Sequence, residues 1–181
     1  MVPKVEIVVL GLLADGPMHG YQLLERFRQR AMGEWAGAGK ASVYQALRRL
    51  ERAGAVTAER QEGAEGPDRR VYRIGRSGRE RLRRGLQERL GDAGASGTEA
   101  AVALGFVHLL RPDEARRGLA AREEALRSRR ERLAEERRAL SASREAGASV
   151  ASRLLELQDA LAGAELAWTA SLRRDLGRLR S

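Results

Sequence analysis

The chain contains no cysteine and only two histidines, His19 and His108. Without thiols there is no disulfide, no thiolate metal site and no cysteine nucleophile. Two imidazoles far apart in sequence offer neither a zinc site nor a histidine cluster for catalysis. A Gly-rich phosphate loop ahead of a helix is missing, as are paired carboxylates in an apolar setting. Together these absences exclude the common enzyme constellations, and no metal or cofactor is expected. His19 falls at an expected helix start, where a capping or structural role fits it best, and His108 lies in an apolar stretch that suits a satisfied buried histidine. Long hydrophobic runs are also lacking. A bilayer span needs roughly 18 to 20 apolar residues, whereas the N-terminal run Val5 to Ala14 is short, is interrupted by Glu6 and passes into an amphipathic pattern rather than a signal-peptide cleavage site. The expectation is a soluble, cytoplasmic protein with no membrane partner.

Lysine is nearly absent too, because every basic residue except Lys4 and Lys40 is arginine. That bias suits bidentate contacts to phosphate and guanine, although GC-rich coding produces it as well. The formal net charge is +9 over 181 residues, which suggests a phosphate-bearing partner. The excess is uneven: residues 1–95 hold 18 basic and 12 acidic side chains, and residues 96–181 hold 16 and 13.

The stretch Lys40 to Ala55, KASVYQALRRLERAGA, reads as a short amphipathic helix. Val43, Leu47, Leu50 and Gly54 fall on one side, with Ala41, Gln45, Arg48, Arg49 and Arg52 roughly opposite. Only Glu51 interrupts that polar side, so it is suited to a polyanion. Ahead of it, Val5 to Ala14 is apolar nearly all round, as expected of a first helix buried beneath two others. Asp15, Gly16 and Pro17 end that helix, and a second begins near His19 with Tyr21, Leu24 and Phe27 at helical spacing. Gly33 to Gly39 reads as a flexible connection in which Trp35 needs something to pack on.

After the basic helix, Gly54 is placed to take the left-handed C-terminal position. Val56 to Gln61 and Arg70 to Ile74 then read as paired strands around a projecting loop, Glu62 to Arg69. Helix, turn, basic helix and hairpin in that order describe a winged helix-turn-helix. Arg76 to Leu90 returns to helix, with Leu82, Leu86 and Leu90 in step, and Gly91 to Gly97 has linker composition. The expected fold is therefore mainly α: a winged helix-turn-helix with a two-stranded wing over residues 1–90, a linker over 91–97, and an all-helical dimerisation domain over 98–181.

In that last part, Leu119, Leu126, Leu133 and Leu140 recur every seven residues among charges, a seam only one leucine wide. The final segment, Ala148 to Arg180, is better furnished, with Val150, Leu154, Leu157, Leu161, Ala164, Trp168, Leu172, Leu176 and Leu179 in steps of three and four. About 33 residues of helix span roughly 50 Å, longer than a small domain covers alone. Leu154, Leu157, Leu161, Trp168, Leu172 and Leu176 are accordingly expected to pair with a second chain. The thin seam upstream makes a hairpin within one chain the less favoured alternative.

Three stretches, VLGLLADGPMHGYQLLERF (Val9 to Phe27), SVYQALRRLERAGAV (Ser42 to Val56) and EGPDRRVYRIGRSGRERL (Glu65 to Leu82), resemble the PadR family of bacterial transcriptional regulators. The helical second half is similar to the subfamily with a large dimerisation domain. The resemblance implies a homodimeric repressor whose recognition helices enter successive major grooves of double-stranded DNA at a pseudo-palindromic operator. Carried over residue by residue, it gives Ser42 and Tyr44 phosphate contacts and places Gln45, Arg48 and Arg49 at bases or backbone. Lys40 would assist at the helix start, and Arg69 and Arg70 would serve the wing. Tyr21 and Gln22 are further phosphate candidates.

The family usually has proline where this chain has Gln45. A glutamine there either reads an adenine edge or joins Ser42 in an S-x-x-Q capping box. Trp35, Phe106 and Trp168 are expected to be core or dimer packing; because family members often respond to phenolic or drug-like compounds, a pocket they line for a small aromatic effector is the alternative. A winged-helix interaction scaffold without specific DNA binding is the competing functional reading.

Overall fold

In the computed structural model the described residues are 1–61, 69–92, 98–141 and 147–176. They form two compact units, one comprising Met1–Arg89 with Ala95–Leu110 and the other Leu90–Gly94 with Arg111–Ser181.

The first unit is built on α1 (Lys4–Ala14). Every residue from Glu6 to Leu13 is buried, as its lack of a polar face requires. Each fully buried Val, Leu or Ile contributes roughly 1.5–3 kcal/mol relative to exposure. Gly16 (φ 142°) and Pro17 end the helix and turn the chain into β1 (Met18–His19). Helices α2 (Gly20–Gln29), α3 (Met32–Ala36) and α4 (Lys40–Arg52) follow, and all three pack on α1. Strands β2 (Val56–Gln61) and β3 (Arg69–Ile74) pair antiparallel in the register Val56↔Ile74 to Gln61↔Arg69. Of the wing loop expected over Glu62 to Arg69, residues 62–68 lie outside the described residues, as does the Arg69 side chain, while the Arg69 backbone already belongs to β3.

The sheet has three strands in the order β1-β3-β2, one more than the sequence suggests. Two residues are too few to show a period, and β1 exists only because Met18 and His19 pair with Tyr72 and Val71. A second difference is α3, which occupies the stretch expected to be a flexible connection. Ala31 (φ 50°) and Gly37 (φ 55°) bound it in left-handed conformations. Trp35 anchors it by donating its indole N–H to the Arg30 carbonyl (2.8 Å).

Helix α5 (Arg76–Gly91) buries Leu82, Leu86 and Leu90. Helix α6 (Thr98–Gly105) and a 3₁₀ turn, Val107–Leu109, belong to the first unit rather than to the helical second part. Their apolar residues pack on α1 and α3. Phe106 is buried, its ring filling the space a side chain at Gly11 would take and meeting the Trp35 indole edge to face at 6.0 Å. Those two candidate pocket residues are therefore packed against each other within one unit, Phe106 buried and Trp35 half-buried.

The second unit is an antiparallel pair, α7 (Pro112–Ser141) and α8 (Ala148–Asp175). The single-chain hairpin thus forms, with Leu119 and Leu126 of α7 fully buried in this unit and a set of charged contacts joining the two helices. Arg122 is buried and donates to Glu165 and to the Asp92 carbonyl. Arg173 reaches Glu123 at 2.5 Å, Arg130 reaches Asp159 at 2.6 Å, and Arg129 reaches Gln158 at 2.9 Å. Ala162 and Thr169 are the buried residues of α8. Val150, Leu154, Leu157, Leu161 and Trp168 remain 51–65 % exposed. Of the six residues expected to pair with a second chain, Leu176 departs, being buried within its own unit at 4 % exposure, and Leu172 is half-buried. Among the described residues no helix is long and apolar enough to cross a membrane.

Candidate nucleic-acid interface

Helix α4 is set by its two ends. At the start, extended Gly39 occupies the N-cap, its N–H donates to Ser42 Oγ (3.0 Å), and the Ser42 hydroxyl donates to the Gly39 carbonyl (2.7 Å). This satisfies an otherwise orphaned end of the helix. At the other end Gly54 is left-handed (φ 65°), and its N–H donates to the Glu51 carbonyl. Between them Val43, Ala46, Leu47 and Leu50 are buried and pack on α1, leaving Lys40, Ala41, Gln45, Arg48, Arg49 and Arg52 exposed.

Ser42 therefore serves the cap without Gln45. It is the third residue inside the helix and reaches back to the Gly39 backbone, so the S-x-x-Q box is not formed and half of a box, from Ser42 to Gly39, stands in its place. Gln45 is a full turn beyond the cap and is exposed on the outer side, free to present its amide to a partner.

The candidate contact residues fall into two groups. Gln45, Arg48, Arg49 and Arg70 line one open groove of about 680 Å³ together with Glu51 and Arg52. Tyr21, Lys40 and Tyr44 line another, of about 670 Å³, with Leu24, Glu25, Phe27 and Glu34 among its walls. Gln22 sits at the start of α2, where its Oε1 accepts the His19 N–H at 2.8 Å and caps the helix. His19 occupies the N-cap position expected of it, yet its Nδ1 is buried without a hydrogen-bond partner among the described residues. Its ring stacks on Tyr21 at 5.7 Å.

The arginines of the first groove are not equivalent. Arg49 donates through Nε to Glu6 (3.3 Å), and Arg70 is paired with Glu51 while its guanidinium lies 5.6 Å from the Tyr72 ring centroid. Among the described residues neither Arg48 nor Arg52 meets a carboxylate. Arg52 carries no assigned contact in the sequence reading, although its place on the outer side of the helix was legible there. The roles of Glu6 and Glu51 had no sequence signal, because their partners lie 43 and 19 residues away. On β2 and β3, Arg60 stands directly opposite Arg70. Such a like-charge pair is unfavourable unless an anion lies nearby.

The arrangement presents a glutamine amide and two guanidinium groups that meet no carboxylate among the described residues, along one exposed helix side beside a basic hairpin. Residues 9–84, which contain this whole arrangement, match the family described as Transcriptional regulator PadR-like family. This part of the chain is PadR-like. Among curated proteins there is no match. Of solved structures, Bacillus subtilis PadR in complex with operator DNA is 18 % identical, with 96 % of this chain and 99 % of that chain covered and a TM-score of 0.45. The smu.1604c protein of Streptococcus mutans UA159 is 23 % identical over 96 % of both chains, with a TM-score of 0.43. A PadR family transcription regulator from Clostridium difficile R20291 is 22 % identical, covering 48 % of this chain and 86 % of its own, with a TM-score of 0.41. In the PadR-like segment, α4 is the helix that carries Ser42, Tyr44, Gln45, Arg48 and Arg49.

Proposed function

We propose that this PadR-like chain is a sequence-specific DNA-binding regulator of transcription that represses as a homodimer on a pseudo-palindromic operator. The observation that carries the proposal is the exposed side of α4, where Gln45, Arg48 and Arg52 point outward with no competing carboxylate among the described residues. Arginine in a major groove binds guanine O6 and N7 in a fork, glutamine reads adenine N6 and N7, and each good bidentate pair discriminates by about 1–3 kcal/mol. Tyr21 on α2 and Lys40 and Tyr44 at the front of α4, with Arg69 and Arg70 on the hairpin, would hold phosphates and fix the register; Ser42, whose hydroxyl proton goes to the Gly39 carbonyl, would serve by holding the front of α4 in place. Gln22 would do so through the amide group its cap leaves free.

Support for the homodimer comes from α8. A row of five large apolar side chains, each more than half exposed, is costly in water and fits a symmetric partner with the same row. Two-fold symmetry then puts the half-sites one DNA turn apart, about 34–36 Å, or a multiple of it. A small aromatic effector completes the proposal. A solved Bacillus subtilis PadR structure is a complex with p-coumaric acid, and a compound of that kind would act by favouring one separation of the two DNA-reading heads.

The test is titration into the duplex upstream of the protein's own gene and into a scrambled duplex, with Gln45→Ala and Arg48→Ala alongside. The expected result is preferential binding of one dimer per site, weakened by both substitutions, and loss of the complex on adding p-coumaric acid. Equal, weak binding to both duplexes would refute sequence-specific recognition, and no binding would favour the interaction scaffold.

A further inference from the structure

Glu6 has no place in the DNA-reading surface, yet it is the residue that touches it from behind. It sits on α1 at 4 % exposure, between α4 and α5. Its Oε2 accepts two hydrogen bonds from Arg81, at 2.9 Å from Nε and 2.6 Å from Nη2. Its Oε1 accepts one from Arg49 Nε at 3.3 Å. A buried carboxylate requires such partners, since an unpaired one costs several kcal/mol. Arg81 alone already provides a charge and two donors. The additional hold on Arg49 has a separate consequence: a guanidinium 45 % exposed on the outer side of α4 is tethered at its base and has a negative charge directly behind it.

Non-specific attraction to DNA comes from cations that displace counterions from phosphates, and each adds about 0.9 to the slope of log affinity against log salt. A cation with a carboxylate behind it contributes less to that attraction than one without, because the carboxylate, though shared with Arg81, offsets part of its field at a phosphate several ångströms away. Arg48 and Arg52 have no such partner among the described residues; Arg49 has one.

Building on the DNA-binding reading above, we propose that Glu6 is a positioning residue that restrains Arg49, limiting non-specific attraction of α4 to the DNA backbone so that Gln45, Arg48 and Arg52 govern discrimination. Glu6 touches no DNA. It sets the ratio of specific to non-specific affinity through the direction and effective charge of a neighbouring side chain.

The experiment measures the salt dependence of binding to the operator and to scrambled duplex for the full chain and for Glu6→Gln, Arg48→Ala, Arg49→Ala and the two double variants Glu6→Gln/Arg49→Ala and Glu6→Gln/Arg81→Ala. In the wild-type background, Arg48→Ala is expected to lower the slope by about 0.9 and Arg49→Ala by less. Glu6→Gln should steepen the slope on scrambled duplex by about 0.9, which strengthens that binding about threefold on going from 0.2 to 0.05 M salt relative to wild type, and so narrows the preference for operator. Removing Arg49 as well should abolish that gain, whereas removing Arg81 should not. Trp35 fluorescence on heating, in a Trp168→Phe background, establishes that each variant is folded. Should Glu6→Gln fail to fold, the comparison of Arg48→Ala with Arg49→Ala decides by itself. Equal slopes for those two variants, or an unchanged slope in folded Glu6→Gln, overturn the proposal while leaving DNA binding intact. A wild-type chain that binds neither duplex overturns the DNA reading first, and this inference with it.

Discussion

Substituting Gly78 with alanine sets helix propensity directly against packing. Gly78 lies in the first turn of α5 and is buried. A Cβ there would run into the Ala55 carbonyl oxygen and lie 2.9 Å from Ile74 Cγ1. Propensity alone favours alanine over glycine by about 0.8–1 kcal/mol in a helix interior. The obstacle, however, is backbone rather than a side chain able to turn aside. Ala55 is held by two hydrogen bonds, its N–H to Leu50 O (2.9 Å) and its carbonyl from Gly75 N–H (3.0 Å), and the adjacent Gly54 carbonyl accepts the Ser77 hydroxyl at 2.9 Å. Overpacking costs about 1–3 kcal/mol, and each hydrogen bond disturbed adds about 1. The net expectation is destabilisation by about 2 kcal/mol, the sum of strain near the upper end and a small propensity gain. Gly91, at the end of the same helix, has nothing within 4 Å of a Cβ, so Gly91→Ala should be neutral or slightly stabilising. Urea denaturation followed by Trp35 fluorescence, in a Trp168→Phe background so that the signal belongs to the first unit, should show the Gly78→Ala midpoint lower by about 1 M or more at ordinary m-values. A Gly78→Ala midpoint at or above the parent's would refute the reasoning.

Ser42→Ala should destabilise the chain by about 1 kcal/mol through loss of the α4 cap, while Gln45→Ala leaves stability unchanged and lowers preference for operator; the reverse pattern in denaturation would return the cap to Gln45. Leu157→Asp and Leu161→Asp, at positions 51 % and 57 % exposed, should convert a dimer to a monomer in sedimentation velocity with helix content retained, and an unchanged mass would remove α8 as the interface. The Glu123 carboxyl is held below the usual glutamate value by the hydrogen bond from Arg173, with the charges of Arg173 and Arg127 adding to the effect and burial opposing it. Because its folded value is lowered, its contribution to stability is complete above the usual carboxylate range, near pH 4, and is lost as pH falls through the lowered value. Thermal midpoints measured from pH 6 downward should therefore show a flatter acid limb for Glu123→Gln than for wild type, and identical limbs would contradict the assignment. Asp159, lowered by its hydrogen bond from Arg130, predicts the same sign for Asp159→Asn.

What could be read in the sequence was what repeats along a single element. The outer and inner sides of α4, the all-round burial of α1, the leucine ladder of α5 and the left-handed Gly54 each follow from a period or a terminal residue, so three or four consecutive turns suffice to show them. What escaped depends on partners distant in sequence. Strand β1 is created by its pairing with β3, and α3, five residues long, is far below the length at which a helix holds itself together. Trp35 and the Phe106 packed on it were open to two readings, since an aromatic pair fits a ligand pocket and a core equally well until Gly11 and Gly105 are seen to leave room for those rings. Arg49 and Arg70 read as cations of equal standing with Arg48, and only the folded chain brings Glu6 and Glu51 against them.

The second unit shows most clearly why hydrophobic pattern alone misjudged a pairing. A leucine every seven residues on α7 is a thin seam, and on that ground α8 was expected to turn to another chain instead of to α7. The two helices nevertheless pack, because arginines on α7 reach Glu165, Gln158 and Asp159 on α8, and Arg173 returns to Glu123. The charged contacts carry no apolar period and add to the leucines of α7, of which Leu119 and Leu126 are fully buried. The hairpin uses the polar and small-residue side of α8, burying Ala162 and Thr169, and so leaves the leucine side exposed. The two pairings therefore do not compete for the same surface. Charged contacts within the chain occupy one side of α8, and the row from Val150 to Trp168 keeps the apolar area that a second copy would cover. A buried ion pair is worth less than a packed leucine of similar volume, so the hairpin gives α8 its place while the larger hydrophobic gain remains for assembly. On this reasoning the monomer produced by Leu157→Asp should retain the α7–α8 hairpin, with its acid sensitivity at Glu123 unchanged.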